Sequence, residues 1–150
     1  MRIADQVASM PTSRKLRCAA LVMIAVIAIV ITWSQAMPYL SSGSGAYASF
    51  WSDTKVTPGS RFITTDILIL SIAVWMLMVI EARRHGIRFV WAYIVGAVVI
   101  GISAVFPIFL VARELRLDNT EATKIHAVDT ILLVLFGVAN VGMAVWVAAG

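Results

Sequence analysis

The sequence predicts an all-α integral membrane protein, a four-helix bundle with both termini in the cytoplasm. Composition is the first reason: of 150 residues, 61% are hydrophobic and 13% charged, against about 45–50% and about 25% in a soluble domain. Patterning is the second. The apolar residues gather in four runs, each near the about 20 residues that a helix needs to cross a hydrocarbon core of about 30 Å. The runs lack the alternation of barrel strands, and in lipid only helices and closed barrels satisfy their own backbone. Charge placement is the third reason. The net charge of +4 comes from Lys and Arg at the ends of apolar runs, as membrane topology demands, and so gives no reason to expect nucleic-acid binding.

A chain of this length is expected to form a single membrane domain over residues 1–150, with spans at about 18–36, 62–80, 87–112 and 127–149. A lone Cys18 has no partner for an internal disulfide, and no Cys/His spacing suits a metal site, so no cofactor is expected. Basic residues near span ends set the orientation. Arg2, Arg14, Lys15, Arg17, Arg83, Arg84 and Arg88 fall on one side of the predicted topology, and Lys55, Arg61, Arg113, Arg116 and Lys124 on the other. The first group is assigned to the cytoplasm.

The first span, Cys18 to Ala36, follows a basic stretch and ends in Ser34-Gln35-Ala36, a small-x-small pattern that imitates a signal-peptide cleavage site. Its length and the following Pro38 favour an uncleaved anchor. The non-cytoplasmic loop 37–61 mixes Gly and Ser with Tyr47, Phe50 and Trp51, rings suited to the membrane interface, and a short interfacial helix is expected around Ala46 to Ser52. The second span opens near Thr64-Thr65-Asp66, where a carboxylate suits the free N–H groups of a helix start.

"EARRHGIR" then makes a tight turn, with Gly86 in the left-handed position past a helix end. Arg83, Arg84, His85 and Arg88 there read as a topology signal, or as a hold for an anionic lipid headgroup, each cation contributing about 1 kcal/mol near an acidic leaflet. The third span runs outward through Gly96, Ala97 and Gly101, small residues that let helices approach closely. Pro107 predicts a kink near Ser103 and Ala104. The span ends in Arg113-Glu114, at the expected depth of Asp66 and Asp129, so an outer ion-pair layer in which Arg113 bridges Asp66 is predicted. In the fourth span Gly137, Asn140 and Ala144 recur at intervals of three and four on one face, a packing surface.

Three segments carry a family likeness: "FITTDILIL", "EARRHGIRFVWAYIV" and "GISAVFPIFLVAREL". An Asp entering a span, an E-x-R-R turn with a downstream aromatic, and a small-aromatic-Pro-x-aromatic-Leu segment ending in Arg-Glu resemble the domain of unknown function 2834 family of small bacterial membrane proteins. The likeness covers about 62–117 best, the outer spans agreeing in hydropathy. It implies a multi-pass protein of the bacterial cytoplasmic (inner) membrane. It lends no activity, so no catalytic residue is carried over.

Function follows from what is present and what is missing. Small-residue faces and short connections point to a structural or accessory subunit that packs against a larger membrane complex or itself, with lipids and a membrane protein or a second copy as partners. A carrier for a small or lipophilic molecule, acting as an oligomer, is the alternative, drawing on Pro107 and Asn140. A membrane enzyme would have to gather Asp66, Glu114, Asp129 and His126 at the outer face, but the chain has no H-E-x-x-H, G-x-S-x-G or histidine box. No enzyme activity is expected.

Overall fold

Where the helices stop decides the architecture. The computed structural model describes residues 10–41, 43–117 and 127–149, and every regular element among them is helical. These are α1 (Thr12–Leu40), a 3-10 turn (Gly43–Gly45), α2 (Ala46–Asp53), α3 (Pro58–Arg84), α4 (Val90–Val99), α5 (Ile102–Glu114) and α6 (Ala127–Ala148). Helices α1, α3 and α6, with 29, 27 and 22 residues, are long and apolar enough to cross a membrane. The protein is a membrane protein on that ground. Arg2, Asp118, Glu121, Lys124 and His126 lie outside the described residues.

The chain divides into two compact units, Met1–Arg116 and Leu117–Gly150. In the second, α6 places Asp129 in its first turn, where the helix dipole favours a carboxylate. Gly137, Asn140 and Ala144 share one face of it. The Asn140 amide donates to the Phe136 carbonyl at 2.8 Å, a bond within its own helix.

In the first unit, α1 begins after Pro11, whose ring suits a helix entrance, and ends as the Ser41 hydroxyl donates to the Pro38 carbonyl at 2.6 Å. The expected interfacial helix is present as α2. Helix α3 starts earlier than the hydropathy suggests. Thr57 Oγ1 accepts from the Ser60 N–H at 3.0 Å, Ser60 Oγ accepts from the Thr57 N–H at 3.1 Å, and Pro58 fills the first helical position. This capping box puts Asp66 in the third turn, so Asp66 does not cap the helix. At the other end Gly86 has φ 63° and the Ile87 N–H reaches the Ala82 carbonyl at 2.9 Å, the glycine-closed helix end that "RHGI" predicts.

The predicted third span is two helices. Chain direction reverses at Gly101, whose φ of 125° and ψ of 135° suit a residue without a Cβ. Three pairings straddle that turn. A Cβ on Gly96 would stand 3.7 Å from the Val105 side chain, the Tyr93 and Phe109 rings meet edge to face at 5.6 Å, and Arg116 Nη1 donates to the Gly86 carbonyl at 3.2 Å. One continuous helix would hold Tyr93 and Phe109 about 24 Å apart. The segment is therefore a helical hairpin, with arms of about 15 and about 20 Å. The break falls at Gly101 rather than at Ser103 and Ala104; Pro107 sits buried inside α5.

Packing follows the hairpin. Met78 and Ala82 of α3 meet Val90 and Ile94 of α4 and Phe109 of α5 in one core, with Met78 and Phe109 fully enclosed. Helix α1 lies antiparallel along α5, Arg14 beside Glu114 and Trp33 beside Ile100. Small residues line these contacts: Ala25, Ala97 and Ala104 are buried, as close helix approach in lipid requires.

Candidate functional site

The hairpin has a charged base and an apolar tip, and the polar chemistry of the first unit collects at these two ends. At the base, Arg14 and Glu114 are 2% and 5% exposed. Arg14 Nη2 donates to the Glu114 carbonyl, and its Nε lies 3.5 Å from Glu114 Oε2. Arg17 Nη1 stands 3.5 Å and Arg113 Nη1 3.9 Å from Glu114 Oε1. Arg113 Nε donates in turn to Glu81 Oε2, which also has His85 Nε2 at 3.4 Å. A line of alternating charge thus runs from α1 through α5 to α3. Glu114, buried, and Glu81, partly buried, are each shared by more than one cationic or imidazole group, which offsets part of the cost of desolvating them.

This placement overturns the predicted bridge between Arg113 and Asp66. Arg113 pairs with Glu81, which lies fifteen residues beyond Asp66 on α3, about 22 Å along the helix axis. Arg113 and Asp66 do not meet. Because the hairpin returns, Arg113, Glu114 and Arg116 stand at the same end as Arg83, Arg84, His85 and Arg88.

Around the turn at that end, Ala82, Arg83, Gly86, Arg88, Phe89 and Trp91 edge an open hollow. Phe89 has φ 60°, a left-handed conformation uncommon for a residue with a bulky side chain.

At the tip, the Trp33 indole N–H donates to the Ile100 carbonyl at 3.0 Å. That bond satisfies an acceptor which the end of α4 leaves without a helical partner. Helix α2 lies over the tip, tied to α1 by the Tyr39 hydroxyl, which donates to Asp53 Oδ2 at 2.6 Å. Four rings run edge to face, Tyr39 to Phe50 at 5.6 Å, Phe50 to Trp51 at 5.6 Å and Trp51 to Tyr47 at 6.0 Å. Between this aromatic cap, the last turns of α1 and the tip residues Val98 to Gly101 is a cavity of about 410 Å³. Trp51 lines it, and its Nε1 is enclosed away from the cavity with no acceptor among the described residues. Trp75 Nε1, beside the core, is likewise without one.

Sequence reasoning missed the buried Arg14–Glu114 pair, which joins residues 100 apart, and the role of Glu81. No group of His, Cys, Asp and Glu among the described residues has the arrangement of a metal site.

Comparison with known proteins gives one match. The family model described as "Protein of unknown function DUF2834" matches residues 21–115. That range takes in most of α1, more than the 62–117 stretch on which the likeness is plainest. No curated protein and no solved structure matches the chain.

Proposed function

The chain belongs to this DUF2834 family, described as of unknown function, and we propose from its geometry that it is a membrane-embedded accessory subunit that works by packing α3 against another transmembrane segment. One observation carries the reading. Between Pro58 and Leu70 no residue of α3 is buried, yet this apolar half-helix carries Asp66, exposed and without a hydrogen-bond or ion-pair partner among the described residues. Arg61, the nearest cation along the helix, donates instead to the Lys55 carbonyl at 2.8 Å. A carboxylate facing lipid costs about 2.5–3.5 kcal/mol at a helix centre on insertion scales. A neighbouring helix that offers a cation or an amide at that depth removes the cost, which is why intramembrane carboxylates mark contacts.

The same geometry supports a location in the bacterial inner membrane with the hairpin re-entrant from the cytoplasm. Arg14, Lys15, Arg17, Arg83, Arg84, Arg88, Arg113 and Arg116 flank the base, against Lys55 and Arg61 at the opposite end of the unit, a stronger asymmetry than four crossings would give. Non-helical backbone at membrane depth is tolerated where protein buries it or it lines a cavity, and Gly101 meets that condition.

The test is assembly. Differently tagged copies are co-expressed, extracted gently and purified through one tag. The wild type is expected to bring down either the second copy or a stoichiometric larger membrane protein, and Asp66→Leu to lose it while staying folded. A wild-type chain that runs as a monomer with no protein partner, or an Asp66→Leu variant that keeps the partner, defeats the reading. The alternative, a carrier for a lipophilic molecule, draws on the tip cavity.

A further inference from the structure

We propose that the open hollow at the α3–α4 turn binds the phosphate headgroup of an anionic phospholipid, gripped by Arg83 and Arg88 beside the exposed rings of Phe89 and Trp91. Three observations at that turn carry the assignment.

The first is what the base network leaves over. Arg14, Arg17 and Arg113 are spent on Glu114 and Glu81, and Arg116 donates to the Gly86 carbonyl. Arg83 and Arg88 are exposed, line the hollow and have no hydrogen-bond or ion-pair partner among the described residues. Closing the end of α3 does not need them, because the His85 N–H meets the Glu81 carbonyl at 3.0 Å and the Ile87 N–H the Ala82 carbonyl at 2.9 Å. Two unspent guanidinium forks attract a phosphate, whose oxygens each fork can take in pairs.

Position is the second. Arg83 lies in the last turn of α3 and Arg88 two residues before α4, and the turn at Gly86, φ 63°, brings both to one hollow of about 490 Å³. Helix α4 starts at Val90, also on its wall, with no side chain capping the first N–H groups. The positive end of that helix favours an anion at the same place. Arg84 does not line the hollow, and His85 Nε2 stands 3.4 Å from Glu81, so the structure narrows the basic turn to two of its four basic residues.

Apolar surroundings are the third, and they separate a lipid from a free anion. Phe89 and Trp91 are 79% and 63% exposed, and Ile87 and Val90 complete the wall. Exposed rings at the end of a membrane-spanning helix belong at the headgroup level. A hydrated inorganic anion gains nothing from them, whereas a phospholipid sets its phosphate on the arginines and its glycerol and upper acyl carbons on the rings. Basic pockets beside membrane helices take such headgroups. The site lies within the first unit and stands whether or not the chain has a protein partner.

Native mass spectrometry of the full-length protein in a neutral detergent counts the lipids bound as dioleoylphosphatidylglycerol is titrated, with zwitterionic dioleoylphosphatidylcholine as the control. One phosphatidylglycerol per chain is expected to bind saturably, about tenfold or more tighter than phosphatidylcholine. Arg83→Gln and Arg88→Gln are each expected to weaken it about fivefold, and the double variant about twenty-fivefold. Arg84→Gln, which removes the same charge next door, and Arg61→Gln, at the other end of the unit, are expected to leave it within about twofold. All of these side chains are exposed, and an unshifted unfolding midpoint in SDS checks that each variant is folded. Inorganic phosphate in large excess, compared with chloride at equal ionic strength, is expected not to displace the lipid. Equal affinity for the two lipids, an unchanged affinity in the double variant, or an equal loss in Arg84→Gln would each overturn the proposal, the last by showing diffuse attraction in place of a site. Displacement by phosphate and not by chloride would overturn it too, because the hollow would then be a site for a free anion.

Discussion

Glu114→Gln is the change that tests the base of the hairpin most sharply. It preserves side-chain volume and removes one charge from a group 7% exposed, so packing is unaltered and the electrostatic share is isolated. The three guanidinia around it do not suffer equally. Arg17 and Arg113 are 26% and 30% exposed; water re-solvates them, and their loss stays within the about 0–1 kcal/mol of surface pairs. Arg14 is 2% exposed and keeps its bond to the Glu114 main chain but loses the adjacent negative charge. Removing one partner of a buried pair costs about 3–5 kcal/mol. Because a glutamine oxygen still accepts a hydrogen bond, the lower figure of about 3 kcal/mol is expected, near a hundredfold in the folded-to-unfolded ratio. Unfolding in mixed micelles of rising SDS content, followed by far-ultraviolet circular dichroism, reads this as a shift of the midpoint. Arg61→Gln, an exposed change at the far end, is expected to shift it by less than about 0.5 kcal/mol. Equal midpoints for Glu114→Gln and the wild type would refute the claim that this ion pair holds α1 to α5.

Further changes address the turn, the topology, the cap and the discarded pairing. Gly101→Ala is expected to destabilise by about 1–3 kcal/mol in the same titration, since φ of 125° is backbone that L-residues scarcely adopt. In a Cys18→Ser background, Arg88→Cys and Arg116→Cys are expected to react with an impermeant maleimide from the same side of sealed vesicles, and Thr54→Cys from the other; opposite sides for 88 and 116 would mean that the segment crosses. Thr57→Ala, which removes the Ser60 cap, is expected to cost about 1 kcal/mol. Asp66→Asn and Arg113→Ala are expected to be additive within about 0.3–0.5 kcal/mol, as for distant sites, whereas Glu81→Gln and Arg113→Ala are expected to couple.

Much of the helical content was legible because hydropathy reports burial in lipid, and burial in lipid demands a helix. The runs at 18–36, 62–80 and 127–149 fall within α1, α3 and, save for residue 149, α6, and Gly86 closes α3 as its position suggests. Helix starts were legible from residues that the hydropathy passes over: Thr57, Pro58 and Ser60 spell a capping box outside the apolar window. The hairpin was hidden because a run from Ile87 to Ala112 is long enough to cross and equally able to fold back; periodicity does not separate the two. One signal was there. Arg83, Arg84 and Arg88 stand before that run and Arg113 and Arg116 after it, and a segment that crosses should not carry cations on both flanks. Within the run, Gly101 is the residue able to reverse the chain. The partner of Arg14 was beyond reach, since nothing local marks two groups a hundred residues apart that only the return of α5 brings together.

The two ends of the hairpin also explain each other. Helix α1 holds α5 at two points, Arg14 on Glu114 and Trp33 on the Ile100 carbonyl. Along α1 those points are about 28 Å apart, while the α5 arm measures about 20 Å. The difference is spanned by two of the longest side chains, reaching inward from either end. Two such attachments fix the depth of Gly101 against α1, because sliding α5 by one turn of about 5.4 Å breaks both bonds at once, one of them between buried charges. The tip cavity depends on that depth, as its floor is the Val98–Gly101 turn and its roof is α2, held by Tyr39 and Asp53. Glu114→Gln should therefore loosen the tip as well as the base, read as faster hydrogen exchange at the Trp33 indole beside the lowered stability. Tyr39→Phe should leave that exchange rate and the stability of the base unchanged, because it frees the roof and leaves both attachments of α5 in place. If Glu114→Gln lowers stability and leaves the indole exchange untouched, Trp33 alone sets the depth, and the base network serves only to hold the helices together.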